Sequence, residues 1–597
     1  MQMIMLETKV VSAGKTMVSR ICSQNFHCTC HQYSFVTSIL WISSMEDEAI
    51  LNGFKNLKDG SEYDALYEAA LCRERADWLL GINATRLFSC LYGQTLNVGR
   101  VMTPTLAMAV EREANIRAFK PEDFYTVILK ADGISLSGDR ISEKAVAEDL
   151  KDRCQAEGVI RITKSEKNEK QEKAPQLFDL TSLQREVNKK LGYTAQQTLD
   201  YTQSLYEKKL CSYPRTDSRF LTDDMEGTIP KVLEAIHAMD IHETDNTDFK
   251  KVINSKKVSD HHAIIPTVQV SKQNLSELPA GEQKILELIA TRFAEAVSSP
   301  CKYSETVIEA ECADSIFKAK GKQILDPGWK AMSRLKDAEK SEGEDEDNDN
   351  FIFTDFSKDQ EIQIKEACIK NGKTSSPKSY TEDTLLNAME KAGADETSED
   401  AERRGLGTPA TRAGIIEKLV SIGFIERKGD KKTKYLIPTP KGEALITVMP
   451  EVIISPSMTA EWENKLLEIE HNSFDAEKFM EEITELVKNL VGTYEIKPEA
   501  QVLMKPDYEA IGKCPCCGGE VVEKSKGFSC SNRDCKFILW KDNRFFDALS
   551  KKITKSVAEE LLKNGKARLK KCRSIKTGRH SIFCGNFTSV YTFTSKM

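Results

Sequence analysis

Ser212-Tyr213-Pro214-Arg215-Thr216-Asp217-Ser218 is the stretch from which the 597-residue chain is best read. It sets a phenol and a guanidinium two residues apart, with a proline between them. In an extended segment such a pair shares one face, because side chains alternate with period two. Pro214 fixes its own φ and biases Tyr213 toward extended geometry. A tyrosine beside a fixed cation has what attack on a phosphodiester needs. The guanidinium steadies the phosphate oxygens and the phenol becomes the covalent carrier. Taken alone, the heptad reads first as a loop beside a strand, with Tyr213 half buried and Arg215 in solvent.

The flanks change that reading. Upstream lie Leu96-Asn97-Val98-Gly99-Arg100-Val101-Met102-Thr103-Pro104-Thr105 and Leu180-Thr181-Ser182-Leu183-Gln184-Arg185-Glu186, followed by Gly192-Tyr193-Thr194. Downstream lie Asp260-His261-His262-Ala263-Ile264-Ile265-Pro266-Thr267 and Gly405-Leu406-Gly407-Thr408-Pro409-Ala410-Thr411-Arg412. In this order the strings resemble the type IA DNA topoisomerases, the bacterial topoisomerase III branch most closely, from about Leu40 to about Lys570.

That resemblance implies a multidomain α+β fold: a type IA topoisomerase-like clamp of helical domains, a β-rich arch and a tyrosine-bearing helical domain, plus a C-terminal zinc ribbon. The expected divisions are a divergent segment 1–39, a helical domain in two parts (40–122 and 373–498, the second with a winged-helix-like unit) and a β-rich arch in two parts (123–172 and 291–372). The catalytic-tyrosine domain falls at 173–290, the zinc ribbon at 509–545 and a basic tail with a divergent end at 546–597. The implied activity is ATP-independent cleavage of one DNA strand through a 5′-phosphotyrosyl link, strand passage and religation. The link stores the phosphodiester energy, so no ATP is required. Tyr213 matches the nucleophile, Arg215 the transition-state arginine and His261 a phosphate-binding histidine. Arg100, Thr411 and the adjoining Arg412 match residues that hold the strand, and Gln184 and Arg185 match a helix lining the DNA path. The implied partner is single-stranded DNA. A phenol is a poor nucleophile at neutral pH, so nearby cations are expected to offset its developing charge.

A chain this long exceeds one core and should hold several domains. Its net charge of −7 and pI near 5.9 carry no global basic signature. DNA binding then depends on a local face. No stretch approaches the roughly 18 apolar residues of a membrane span. Seventeen cysteines without a secretion signal point to a reducing compartment, the cytoplasm, and to metal binding. Cys514-x2-Cys517 and Cys530-x4-Cys535 form two knuckles a hairpin apart, the pattern of tetrahedral structural zinc, with Cys516 as the spare thiol. Phe528, Phe537 and Trp540 serve either as base-stacking platforms or as the ribbon's small core. Cys28-Thr29-Cys30-His31 is too tightly spaced for zinc knuckles. Gly14-Lys15-Thr16 lacks the earlier glycine of a phosphate-binding loop, Lys9 standing there instead.

Residues 40–118 read as helical, with Leu79, Leu80 and Ile82 leading into Leu87 and Leu91, and 124–170 as short strands. Thr181-x-x-Gln184 has capping-box form, with Leu183, Val187 and Leu191 as the apolar stripe after it. Ile285–Val297 is a further helix and 303–335 a second strand-rich stretch. Glu339–Asn350 is an acidic run that keeps itself solvated. Thr408-Pro409 starts a helix that buries Ile415, Ile416 and Leu419 and ends at Gly423. Arg427, Lys428, Lys431, Lys432 and Lys434 then make a basic hairpin suited to phosphates.

The resemblance also implies a magnesium-binding Toprim domain before Leu40, with an Asp-x-Asp pair and a lysine. That pattern is not found in the residues before Leu40. The chain is therefore expected to hold the nucleophile without the metal carboxylates. A second reading is a catalytically impaired DNA-binding remnant. A third, a tyrosine recombinase or relaxase, needs histidine and arginine spacings that His261-His262 does not provide.

Overall fold

The computed structural model describes residues 10–12, 38–40, 47–131, 133–243, 247–258, 260–332, 356–393, 396, 405–430, 432–497, 510–524, 526–532, 534–542, 546, 552–573 and 580–586. The Cys28–His31 tetrad, Gly14–Thr16 and the acidic run 339–350 lie outside them. Contacts divide the chain into two units, Met1–Leu503 and Met504–Met597.

In the first unit, β1 (Val10–Ser12) lies parallel to β2 (Ser38–Leu40), which pairs antiparallel with β3 (Lys58–Asp59). Helices span Asp47–Lys55, Asp64–Tyr92 and Met102–Ala118. The 29-residue helix buries Ala69, Cys72, Ala76, Leu80, Ala84, Phe88 and Tyr92. This stripe steps by three and four residues and is rich in alanine, which lets a neighbouring helix approach closely. Of the expected Leu79, Leu80 and Ile82, only Leu80 is fully inside, and Ile82 is exposed.

A closed barrel follows. Its strands are β4 (Asp123–Ala131), β5 (Ile134–Ile141), β6 (Val159–Glu172), β7 (Cys301–Cys312), β8 (Ser315–Asp326) and β9 (Glu361–Lys373). They run around it in the order β4-β5-β8-β7-β6-β9. Val127, Leu129, Leu136, Ile160, Ile162, Ile308 and Phe317 are among its buried core. The stretch 124–170 is not all strand, because Lys144–Glu157 is a helix. Its Ala147, Leu150 and Cys154 pack into the barrel core at helical spacing, and Gly158 at φ +71° closes it.

Strand register fixes where the other elements attach. β6 and β7 pair from Arg161 opposite Glu311 to Glu172 opposite Cys301. Everything between Glu172 and Cys301 is therefore inserted at the tip of one hairpin. This insertion carries Tyr213 and the helices Leu180–Leu191, Ala195–Glu207, Ile229–Ile236 and Ala280–Val297. β4 and β9 pair with Asp123 opposite Lys373, so the helices before β4 meet those after β9. β6 pairs with β9 only at Val159–Arg161 against Glu361–Gln363, then runs on away from Lys373. The two helical bodies thus leave the barrel from opposite ends, on the order of 70 Å apart along the strands.

The terminal body joins its early helices to Glu382–Lys391, Pro409–Ser421, Pro440–Val448, Pro456–Glu470 and Ala476–Thr493. Between Pro409–Ser421 and Pro440–Val448 stand β10 (Ile425–Gly429) and β11 (Lys434–Pro438), an antiparallel hairpin. Ala413, Ile416 and Leu419 are buried on the helix before it, while Ile415 is only half-buried. Helix Leu180–Leu191 starts one turn-fraction earlier than the Thr181–Gln184 box implies. Asp179 is its cap, accepting from the Ser182 N–H at 2.6 Å, and the Ser182 hydroxyl accepts from the Asp179 N–H. Thr181 and Gln184 are buried within the helix.

The second unit is built on β12 (Ala510–Lys513), β13 (Glu520–Glu523), β14 (Gly527–Cys530) and β15 (Ile538–Trp540), a four-stranded antiparallel sheet. Several of the described residues from 546 onward join this sheet's core. Phe546, Ile553, Ala558 and Leu561, the last two on helix Lys555–Asn564, share a core with Phe528, Phe537 and Leu539. Phe528 and Phe537 are thus interior, and Trp540 is exposed. β16 (Lys566–Arg573) and β17 (His580–Asn586) form an antiparallel pair. No helix among the described residues is long and apolar enough to cross a membrane.

Phe317 is fully buried in the barrel. Phe317→Ala should destabilise the barrel by about 3–5 kcal/mol. Chemical denaturation followed by circular dichroism checks this, and a loss below about 1 kcal/mol would mean the barrel core refills the cavity.

Candidate active site and metal centre

The heptad is held as an extended edge against a second segment. Cys211 bridges Pro266, and Phe178 bridges Ile264. Ser212 donates its N–H to Ile265 O and its hydroxyl to Ala263 O, both at 2.9 Å, and its Oγ accepts from the Ile265 N–H at 2.9 Å. Thr216 donates its hydroxyl to His261 O at 2.7 Å, and its own carbonyl accepts from the Leu180 N–H at the helix start. Arg219 closes the heptad's far side on the Asp179 cap, Nε to Oδ2 at 2.7 Å. Burial alternates along the stretch. Pro214, Thr216 and Ser218 are inside, while Tyr213, Arg215 and Asp217 are more exposed.

These bonds bring Tyr213 and His261 into ring contact, with centroids 4.4 Å apart and planes at 47°. Tyr206 meets Tyr213 edge-on, at 5.3 Å and 79°. Arg215, half-buried, has no hydrogen-bond or ion-pair partner among the described residues. Burial, then the neighbouring His262, pushes the His261 imidazole down to about 4. Burial lowers His262 as well, against a backbone bond to Ala263 and nearby Asp224. His261 is therefore a neutral imidazole near pH 7 in the DNA-free protein, where a second cation beside the phosphate was expected.

The other candidate residues make their hydrogen bonds to residues outside the heptad. Arg100 is buried, its Nε 2.6 Å from Asp77 Oδ1 and its Nη1 2.9 Å from Glu463 Oε1, over the Trp462 ring. Burial opposes its charge, but the two carboxylates outweigh that and raise its pKa. Gln184 is fully buried and donates to Ala195 O at 3.1 Å. Arg412 is buried, donating to Leu406 O and Thr181 Oγ1. Thr411 caps its own helix with Thr408. Arg185, partly exposed, pairs with Asp383 at 2.7 Å. Arg427 is spent on Glu382 and Glu417 and Lys428 pairs with Glu426 at 2.6 Å, which leaves Lys432 and Lys434 as the hairpin's other exposed lysines among the described residues.

Two of these bonds belong to a polar joint between the two helical bodies. It comprises Arg185–Asp383, the Asp383 N–H on Asn188 Oδ1, the Ala195 N–H on Glu382 Oε2, Arg412–Thr181 and Arg219–Glu390 at 3.9 Å. Sequence reasoning missed Ser212 and Thr216 as clamps, although both stand in the heptad, because their partners appear only on pairing with residues 261–265.

In the second unit the Sγ atoms of Cys514, Cys517, Cys530 and Cys535 lie within 4.8 Å of one another, with Cys514–Cys535 at 3.7 Å and Cys517–Cys530 at 3.4 Å. Four thiolates around one tetrahedral ion at about 2.3 Å stand about 3.8 Å apart, so the set fits such a metal. Gly518 at φ +73° makes the first knuckle, and Cys516 points away as an exposed thiol.

The site therefore sets a clamped tyrosine two residues from an arginine that has no partner among the described residues, on a helical insertion in a barrel hairpin. The DNA topoisomerase family profile matches residues 61–481, and the chain belongs to that family. It is 38% identical to DNA topoisomerase 3 of Bacillus licheniformis and 36% identical to that of Bacillus subtilis, in each case over 83% of this chain and 70% of the relative. In fold it is similar to full-length topoisomerase I of Thermotoga maritima, at TM-score 0.61 and 20% identity, covering 88% of this chain and 84% of that one. Together these make the chain a type IA DNA topoisomerase.

The depressed His261 has a consequence for stability. Between about pH 6.5 and about 4 the unfolded chain binds a proton that the folded chain refuses. The stability of the tyrosine-bearing body should be full above about 6.5, fall as pH drops through this window, and level below it. His261→Asn should flatten part of the fall in urea midpoints between pH 7 and 4.5, and an unchanged slope would contradict the assignment.

Proposed function

We propose that this chain cleaves single-stranded DNA with Tyr213, passes DNA through the break and reseals it. The bond from Tyr213 Oη to phosphorus forms as the bond to the 3′-oxygen breaks. The phenol gives up its proton and the leaving oxygen gains one. The 5′-phosphotyrosyl link keeps the phosphodiester energy, so the 3′-hydroxyl reverses the step without ATP. The observation that carries this reading is the Ser212 and Thr216 clamp, which sets Tyr213 against His261 and two residues from an unpaired Arg215. Arg215 serves as the fixed charge on the phosphate. His261 serves as a neutral hydrogen-bonding partner whose pKa an arriving phosphate raises.

The expected divisions are proposed as functional parts: 40–122 with 373–498, the arch 123–172 with 291–372, the tyrosine domain 173–290 and the ribbon from 509. Helical bodies that leave opposite ends of a barrel and also touch each other support a ring around DNA. The polar joint at Arg185, Glu382 and Arg412 is the seam that opens for strand passage. Arg100, Gln184 and Arg412 shape the path by holding its walls. Thr411, Arg185 and the hairpin lysines are the more exposed groups available to DNA phosphates. The metal in the cysteine set is proposed to be structural zinc. Among the described residues that set is the one gathered group of three or more ligating side chains. A reducing, DNA-bearing compartment such as the cytoplasm suits the free cysteines.

The test is trapping of a covalent adduct on an end-labelled single-stranded oligonucleotide. The adduct should form with the parent chain, keep the label of the 5′-phosphate side and vanish in Tyr213→Phe. Arg215→Ala should slow it by about 10²-fold or more. Adduct formation by Tyr213→Phe would overturn the assignment. Separately, the purified chain should contain one zinc, lost in a Cys514→Ser/Cys530→Ser variant, and a chelator should unfold the second unit. Absence of zinc by elemental analysis would remove that part of the proposal.

A further inference from the structure

Tyr213 is gripped by a second tyrosine that the chemistry above does not use. Tyr206 sits in the last turn of helix Ala195–Glu207, half-buried, with its ring near perpendicular to that of Tyr213. A specific turn brings it there. The chain leaves the helix through Lys209 at φ +62°, whose N–H donates to Tyr206 O at 2.8 Å, while the Leu210 N–H donates to Leu205 O. The Thr267 hydroxyl holds Lys209 O at 2.5 Å. A residue with a β-carbon keeps such a φ only where its surroundings impose it. The turn delivers Leu210 and Cys211 to the segment 265–267 and folds Tyr213 back over Tyr206.

The geometry of a phenol explains what this contact does. Its oxygen lies on the axis through Cβ and Cζ, so flips of the ring leave the oxygen in place. Rotation about χ1 instead swings it through several ångströms. With Tyr206 edge-on and His261 tilted against the same ring, rotation about χ1 meets a neighbouring ring. Burial, then proximity to Tyr213, holds the Tyr206 hydroxyl above the ordinary phenol value, so its contribution is an aromatic edge and not a charge.

We infer that Tyr206 is a positioning residue that holds the Tyr213 oxygen on the line of attack, and that its ring, not its hydroxyl, does this. The inference rests on the reading of Tyr213 as nucleophile. The experiment uses the full chain and measures single-turnover adduct formation on a saturating single-stranded oligonucleotide, with oligonucleotide affinity measured alongside. In parallel, 3-fluorotyrosine is incorporated and the Tyr213 fluorine resonance is identified by its loss in Tyr213→Phe. Tyr206→Ala should slow adduct formation by about tenfold or more with affinity unchanged within about twofold, while Tyr206→Phe restores the parental rate. The Tyr213 resonance should shift or broaden in Tyr206→Ala and stay in place in Tyr206→Phe. If Tyr206→Ala is unstable, Tyr206→Leu takes its place. A parental rate and an unmoved resonance in the alanine variant would overturn the inference, as would a parallel loss of affinity or a failure of phenylalanine to rescue. An adduct that persists in Tyr213→Phe would instead defeat the nucleophile assignment. If the parent forms no adduct, the resonance alone decides: a shift supports the inference and no shift overturns it.

Discussion

Ser212 is the fastening on which the site depends. Its backbone and side chain together make three hydrogen bonds to one short segment, two donated and one accepted. Each contributes only about 1 kcal/mol net. Their importance is geometric, because they fix the register of two segments far apart in the chain. Slipping that register by one residue would turn Tyr213 to the buried side and Pro214 outward. Thr216 repeats the constraint on His261 O, and Arg219 ties the end of the stretch to the cap of the next helix. The direction of Tyr213 is thus set by backbone pairing before any side chain packs on it.

The distribution of polar and apolar contacts separates parts that stay folded from a part able to part. The tyrosine-bearing body has its own buried clusters, around Phe293, Ile236 and Leu221 and around Phe178, Leu183 and Leu286. Burying one such side chain is worth about 1.5–3 kcal/mol, so these clusters do not open piecemeal. The joint to the other body consists of ion pairs and single hydrogen bonds, partly exposed at Arg185 and Arg219. Water replaces such bonds at a small net cost for each. The buried Arg412–Thr181 bond is one exception, and Glu382 is another, a buried carboxylate shared between the Ala195 N–H and Arg427. Burial raises its pKa and Arg427 opposes that, so separating the bodies frees one ligand of this group while leaving its charge partner in place.

Local chemistry was the part legible in the chain. The heptad, the four-cysteine spacing and the Thr408-Pro409 helix start each need only a few neighbouring residues, and each stands in the structure as a local unit. Legibility failed where a role depends on a distant partner. The polar contacts of Arg100 and Arg412 with Glu463 and Thr181, and of Gln184 Nε2 with Ala195 O, could not be read from the sequence alone. The helix Lys144–Glu157 was missed although its alanine, leucine and cysteine are helically spaced, because strong strands flank it on both sides. The cap at Asp179 was misplaced by two residues because Thr181 and Gln184 imitate its pattern. The turn at Lys209 gave no signal at all, since glycine or asparagine is the residue expected at positive φ.

Under the proposed function, the contrast between Arg215 and His261 sets an order of events. A guanidinium stays charged at every relevant pH, so Arg215 attracts a phosphate before anything is bound. A neutral His261 adds no such pull, and this limits the cost of keeping positive charge in a partly buried pocket without DNA. Once a phosphate lies against the imidazole, its negative charge favours protonation and opposes the effect of burial. The second positive charge then develops only where an anion is present to balance it. The attacking phenol gains its electrostatic support in the bound state, and the empty site is spared two like charges beside an unpaired tyrosine.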